Sequence, residues 1–224
     1  DLKNGSIRNW LLNTISVSNL LIDNLQLKDR ILLENIPSEL EYLADIIEAM
    51  KKGQCIKMTY QSYWRGESNT FTVEPYCVKL FKQRWYLVAR SPYYNKVMIY
   101  SLDRLLHLEV LANEQFKMPD SFNPTDFFNE YYGVIIDSDF EVEKVKLKVS
   151  ASQANYLRSL PLHHSQQEIQ TTDEYSIFEL RIRPTFDFYQ EILHNGEDME
   201  VLEPLWLRKE IARKIEKMWD KYKS

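Results

Sequence analysis

The chain has 224 residues, 44% of them hydrophobic and 27% charged, and a net charge of −5. That is enough apolar material for one large or two small cored domains, which excludes a disordered chain. No apolar run approaches the roughly 20 residues of a membrane span, no signal peptide opens the sequence, and Cys55 and Cys77 make neither a disulfide framework nor a metal-type pair. The expectation is a cytoplasmic protein without cofactor, structural metal or membrane contact.

The first 50 residues read as helix. In "IRNWLLNTISVSNLL", Trp10, Leu11, Thr14, Val17, Leu20 and Leu21 fall near one face. In "NIPSELEYLADIIEAMKKG", Ser38 and Glu41 form a capping box after Pro37. Leu40, Leu43, Ile47 and Met50 make the expected apolar stripe, and Gly53 is the expected stop.

From Cys55 the apolar period changes to two. "CIKMTY", "TFTVEPYCVKLF", "RWYLVAR", "VMIYSL" and "LLHLEVL" read as strands separated by the polar turns "YWRGESN" and "SPYYNK". Pro75 marks an edge or a bend. Five short strands in about sixty residues suggest a small barrel.

Residues 117–134, "KMPDSFNPTDFFNEYYGV", carry two prolines and an aromatic cluster, the composition of a connector that packs. Strand, helix, hairpin, helix and strand then follow: "KVKLKVS", "SQANYLRSL", "SQQEIQTT" with "YSIFELRIR", "TFDFYQEILHNG" and "MEVLEP". This βαββαβ order is that of a ferredoxin-like sandwich. Pro204 begins a last helix with seven cations and three acids between Arg208 and Lys223. Its expected buried stripe is Ile211, Ile215, Met218 and Tyr222, with Glu210–Lys214 support on the solvated face.

Charge is segregated along this chain. From Lys79 to Arg104 six basic residues (Lys79, Lys82, Arg84, Arg90, Lys96, Arg104) stand against Asp103, a local balance of +5 that leaves −10 on the rest. An acidic protein has no general attraction for nucleic acid, so any such site must be a local patch. This patch coincides with the aromatic stretch "FKQRWYLVAR". Aromatic faces stack on bases and arginine forks meet phosphate oxygens, which gives the patch a physical case as an anion site. By strand alternation Arg84, Tyr86 and Val88 share one face, and Trp85, Leu87 and Ala89 share the other. The second set is the more apolar, so Trp85 is expected in the core and Tyr86 at the ligand. Lys82, Arg84 and Arg90 can equally be solubilising charges. Tyr60 shares parity with Ile56, Met58 and Ser62 and is a core candidate too.

"RWYLVAR", with the triplet Trp85-Tyr86-Leu87, resembles the WYL domain of bacterial transcriptional regulators. "YSLDRL" at 100–105 is similar to the family's second hallmark, and "MTYQSY" and "FTVEPY" to its earlier strands. "LPLHHSQ", "EVLEP" and the connector resemble the C-terminal extension of many members, and "WLLNTISV" resembles the linker that follows their winged helix-turn-helix. The resemblance implies an α+β protein. Its parts would be a helical linker (1–44), an Sm-like five-stranded β-barrel (45–115), a connector (116–138) and a ferredoxin-like βαββαβ domain with a C-terminal helix (139–224).

It also implies a ligand-sensing role rather than catalysis. An anionic ligand, single-stranded nucleic acid or a nucleotide, would dock on the barrel face. Promoter DNA would be met through an N-terminal domain not in this chain, with a homodimer as the working unit. Carried over by motif, the ligand residues are Tyr60 and Ser62 of "TYQS", the Trp85-Tyr86 pair and Arg104 of "LDRL"; Arg84, Arg90 and Lys96 join them from the charge pattern. Met98 stands where members often have a cation, and Lys96, two residues away on the same strand face, is the substitute. The alternative for Arg104 is a structural salt bridge with Asp103 or Glu109. The alternative for the whole chain is a dimerisation or protein-interaction scaffold without a nucleic-acid ligand.

Other chemistry finds little support in the sequence. Adjacent His163 and His164 would point apart on a strand, with no further ligand at metal spacing. No nucleophile elbow, phosphate loop, zinc-protease or dinucleotide motif occurs, so an enzyme is not expected.

Overall fold

The structure is a computed structural model that describes residue 23 and residues 40–63 and 66–223. The helix expected around Trp10–Leu21 and the Ser38–Glu41 capping box lie outside the described side chains. Residues 40–223 belong to one compact unit, Ser38–Ser224. It is a mixed α+β structure with two antiparallel sheets, one of five strands and one of four.

Helix α1 (Leu40–Lys52) precedes the first sheet. It buries Leu43, Ile46 and Ala49, while Ile47 is 47% exposed. The buried face is therefore turned by about one residue from the Leu40-Leu43-Ile47-Met50 stripe read from sequence. Small Ala49 permits close approach of the helix, and Tyr42 ties it down by donating to the Leu106 carbonyl at 3.1 Å. Gly53 ends the helix at φ 62°, its N–H reaching the Met50 carbonyl at 3.3 Å.

The five-stranded sheet comprises β1 (Gln54–Gln61), β2 (Ser68–Phe81), β3 (Arg84–Ser91), β4 (Lys96–Ser101) and β5 (Leu105–Gln115), in the order β4-β3-β2-β1-β5. A 3-10 turn, Leu102–Arg104, joins β4 to β5. Pro75 sits at a register shift in the β2–β3 pairing, between Pro75 and Cys77. The β1 ladder of β2 ends at Val73 and its β3 ladder starts at Glu74, so the proline sits where the strand bends and changes partner, paired on one side only, and its missing N–H breaks no second ladder. Ile56, Met58, Val73, Leu87, Ala89, Leu102 and α1 form the core of this part, with Trp85 packed against it.

The unbroken apolar run in β3 has a cause. Leu87 and Ala89 face the core, yet Val88 is also fully buried. The strand is covered on both faces there, the condition under which alternation gives way to a continuous apolar run. The flanking strand β2 carries the connector: the Tyr76 ring stacks on Phe116 (5.9 Å) and meets Phe122 at a tilt (4.9 Å), and Lys79 Nζ lies 3.7 Å from the Phe128 ring centroid. A short helix, α2 (Pro124–Phe128), is capped by Asn123, whose side chain accepts from the N–H groups of Thr125 and Asp126.

The second sheet comprises β6 (Glu143–Ser150), β7 (Gln167–Thr171), β8 (Tyr175–Ile182) and β9 (Met199–Glu203), in the order β7-β8-β6-β9. Helices α3 (Ala151–Ser159), α4 (Phe186–His194) and α5 (Leu205–Tyr222) complete this part. Its core holds Val145, Leu147, Val149, Phe178, Leu180, Ile182, Phe188, Ile192 and Leu207. Each large side chain buried this fully contributes about 1.5–3 kcal/mol relative to exposure.

Two expectations fail here. On α5 only Leu207 and Ile211 are buried, whereas Ile215, Met218 and Tyr222 are exposed. The helix of 18 residues is about 27 Å long, and the adjacent five-residue β9 covers only about 17 Å. Its last turns therefore run past the core, although Glu210 does support Lys214 at 3.5 Å. His163 and His164 lie in a turn and not in a strand, and their rings meet with centroids 4.0 Å apart.

Candidate functional site: one end of the five-stranded sheet

Tyr60 near the end of β1 and Arg104 at the end of the 3-10 turn meet at one end of the five-stranded sheet. Tyr60 pairs with Leu105, the residue after Arg104, across the β1–β5 ladder. Its ring stands edge-on to Tyr100 (5.3 Å), which in turn packs on Phe71 (5.6 Å). The Tyr60 hydroxyl accepts from the Ser101 N–H at 3.2 Å. Burial raises the pKa of that hydroxyl, with the Arg104 charge working against the shift. Tyr60 thus packs on the core with its ring and reaches the site with its tip.

Among the described residues Arg104 has no ion pair, and its side chain hydrogen-bonds that of Tyr60. Asp103, its neighbour and one candidate partner, is taken by Arg84 at 3.5 Å and by the Ser101 hydroxyl. The Arg104 Nε is buried and without a hydrogen-bond partner. A lone donor of this kind is costly unless something pairs with it. The guanidinium lies beneath the Tyr63 ring, Cζ 4.3 Å from its centroid, and that ring is itself 65% exposed. A cation roofed by an aromatic face can take an anion at its edge while the ring offers a stacking platform. Ser62 is half-buried in the same loop, its N–H bonded to the Glu67 carbonyl at 3.4 Å. Tyr63 is absent from the residues picked out by sequence. The signal was an exposed tyrosine in the β1–β2 turn beside a motif arginine, but only the fold brings the two together.

The remaining candidates lie elsewhere. Arg84 and Tyr86 are on the outer face of β3, where burial raises the Tyr86 pKa while Arg84 and Ser101 oppose it. Arg90 is held by Glu74 at 2.8 Å and Asn95 at 2.7 Å. Lys96 pairs with Ser91 at the far end of β4, about 13 Å along the strand from Tyr100. Met98 lies between them, 38% exposed and accepting from the Tyr100 hydroxyl at 3.4 Å. The basic patch is therefore not one surface.

Much of it ties the five-stranded sheet to the rest of the chain. Lys79 Nζ donates to the Gly133 carbonyl at 2.7 Å, and burial lowers its pKa to about 8 against the pull of Asp187. Lys82 pairs with Glu191 of α4 at 2.8 Å, and the Tyr132 hydroxyl donates to the same carboxylate at 2.5 Å. Asp187, also on α4, accepts from the Val134 and Ile135 N–H groups at 2.7 and 2.8 Å. The local excess of +5 is spent largely within the fold.

No group of three or more His, Cys, Asp and Glu side chains suited to a metal ion occurs among the described residues. Nor is any described helix long and apolar enough to cross a membrane.

The WYL-domain family model matches residues 41–110, and the WCX-domain model matches residues 141–219. Among solved structures, proteasome accessory factor B/C (PafBC) of Arthrobacter aurescens is 19% identical over 85% of this chain and 28% of its own, with a TM-score of 0.35. A CRISPR Cas-related protein is 16% identical over 83% of this chain and 53% of its own, with a TM-score of 0.50, a likeness of fold alone. The chain thus spans about half of the second protein and less of the first. No curated protein matches it. The chain thus carries a WYL domain over its first sheet and a WCX domain over its second.

Proposed function

We propose that this chain is the ligand-sensing part of a cytoplasmic bacterial transcriptional regulator, without catalytic activity of its own. An anionic ligand, single-stranded nucleic acid or a nucleotide, docks at the barrel mouth on Arg104, Tyr60, Ser62 and Tyr63. One observation carries this reading: the half-buried Arg104 guanidinium is roofed by Tyr63, and its buried Nε has no hydrogen-bond partner among the described residues. The strand order β4-β3-β2-β1-β5 supports an Sm-like barrel, and β7-β8-β6-β9 supports a ferredoxin-like second domain. Binding would be relayed toward an N-terminal DNA-binding domain through whichever arrangement of the regulator the ligand prefers.

Fluorescence anisotropy of labelled short single-stranded DNA and RNA, with wild type and Arg104→Ala, tests the site. Saturable, salt-sensitive binding lost in the variant supports it. No binding by the folded wild type, or equal binding by the variant, contradicts it.

A second reading, a homodimerisation scaffold, is favoured by the exposed Ile215, Met218, Trp219 and Tyr222 on α5, an apolar patch of the kind that marks association surfaces. Its check is the solution mass as concentration rises. A doubling supports it, and a monomer at every concentration removes it.

A further inference from the structure

The chemical class of ligand at the barrel mouth follows from where the cations are, given the anion-binding reading above. A surface that tracks a nucleic-acid strand sets a row of cations along its path, one near each phosphate. Among the described residues the row is broken at each step. Arg84 and Arg90 are committed to Asp103 and Glu74, Lys82 to Glu191, and Lys79 is buried under Phe128 and Gly133. Along the β4 face leading away from Arg104 come Tyr100 and then Met98. The next cation, Lys96, stands about four strand residues from Tyr100, roughly 13 Å.

Among the described residues the mouth therefore offers one guanidinium without an ion pair, bonded only to the Tyr60 side chain, beside an apolar and aromatic surface. We infer that it takes a ligand presenting a single phosphate, or one comparable anionic group, joined to a flat apolar body: a nucleoside monophosphate or the terminal nucleotide of a strand. It does not track several phosphates. The anion sits on Arg104, whose fork accepts phosphate oxygens at its edge. The flat body has two platforms, the outer face of the Tyr63 ring and the exposed Met98 beside Tyr100. Met98 is the specificity residue, because an apolar thioether there favours a base or ring over a second phosphate.

The salt dependence of binding counts the phosphates engaged. The logarithm of affinity falls by about 0.7 per neutralised phosphate for single strands as the logarithm of salt rises. The probes are a labelled nucleoside monophosphate and a labelled oligodeoxynucleotide of about ten nucleotides, within the usual range of single-strand site sizes. Both are titrated into the full chain across a salt series. The expected slope is about 0.7 for each probe, with affinities within about threefold of each other. Met98→Lys adds a cation on the path, so the oligonucleotide slope should steepen by about 0.7 while the monophosphate slope stays put. A wild-type oligonucleotide slope of two or more, or a variant that steepens neither, overturns the single-anion inference and leaves anion binding at the mouth intact. Failure of the folded protein to bind either probe overturns the reading of the mouth as a nucleotide-type site, and this inference with it.

Discussion

The Tyr63 ring covers the Arg104 guanidinium at 4.3 Å, and the two come from distant parts of the sequence that builds the five-stranded sheet. One sits in the turn after β1 and the other in the turn before β5, elements that the antiparallel β1–β5 ladder makes neighbours. The pairing holds the fork flat and keeps one aromatic face open. Replacing Tyr63 by Ala should weaken binding of a nucleotide probe by about 5- to 150-fold, in line with the 1–3 kcal/mol of a base–aromatic stack. Tyr63→Phe should bind nearly as wild type. Titration by anisotropy checks both, and an Ala variant of unchanged affinity would remove Tyr63 from the site.

Gly133 is seated against Asp187. A Cβ at this position would collide with the Asp187 carboxylate, which is fixed by the Val134 and Ile135 N–H groups. Gly133→Ala should therefore lower stability by about 1–3 kcal/mol, the usual scale for overpacking. Asp187→Ala should cost a similar amount by stranding two backbone donors. Urea denaturation measures both, and wild-type midpoints would mean that the connector is not held at this turn.

Lys79 carries a pH signature. Its pKa falls from 10.5 to about 8 in the fold because burial disfavours the charge. Between pH 8 and 10.5 the unfolded chain holds a proton there that the folded chain has released, so this group adds stability as pH rises through that window. Below pH 8 both states are charged and the contribution is flat. Lys79→Met should lose this rise, seen as the difference between the stability–pH curves of the two proteins. Parallel curves from pH 8 to 10.5 would contradict the burial of this ammonium.

His163 follows the same sign at the acid end. Burial, with His164 beside it, lowers its pKa from 6.5 to about 4, while its Nδ1 is bonded to Ser165 at 2.8 Å. The neutral ring stabilises the fold above pH 6.5, and that contribution is lost as pH falls toward 4, because the unfolded chain takes up the proton first. His163→Gln should flatten the stability curve over pH 6.5–4 relative to wild type. Thermal melts at several pH values measure it, and an unchanged slope would contradict the assignment.

Much of the fold was legible in the sequence because period and punctuation agreed. Strands β1 to β9 fall on the alternating or continuous apolar stretches, Gly53 and Gly196 adopt positive φ at helix ends, and Pro75 marks a bend. Where periodicity had to choose between near-equal faces it erred, as with Ile47 on α1. On α5 the apolar spacing was read as burial although the sheet beneath the helix ends early. The site was legible only in part. Arg104 and Tyr60 stand out in their motifs, but a tally of charge cannot tell a cation facing solvent from one consumed by a partner distant in sequence. Lys79 meets Gly133 and Lys82 meets Glu191, 109 residues away, and strand parity alone cannot reveal either contact.

The most direct observation of the central claim is the Nε–H resonance of Arg104, followed by ¹⁵N NMR as a nucleoside monophosphate is added and assigned by its absence in Arg104→Lys. A buried donor without a protein partner should shift strongly and saturably when a phosphate oxygen arrives, with a midpoint equal to the affinity from anisotropy. An Arg104 Nε–H that stays in place at saturating nucleotide, in a protein that binds it, would mean that the anion docks elsewhere.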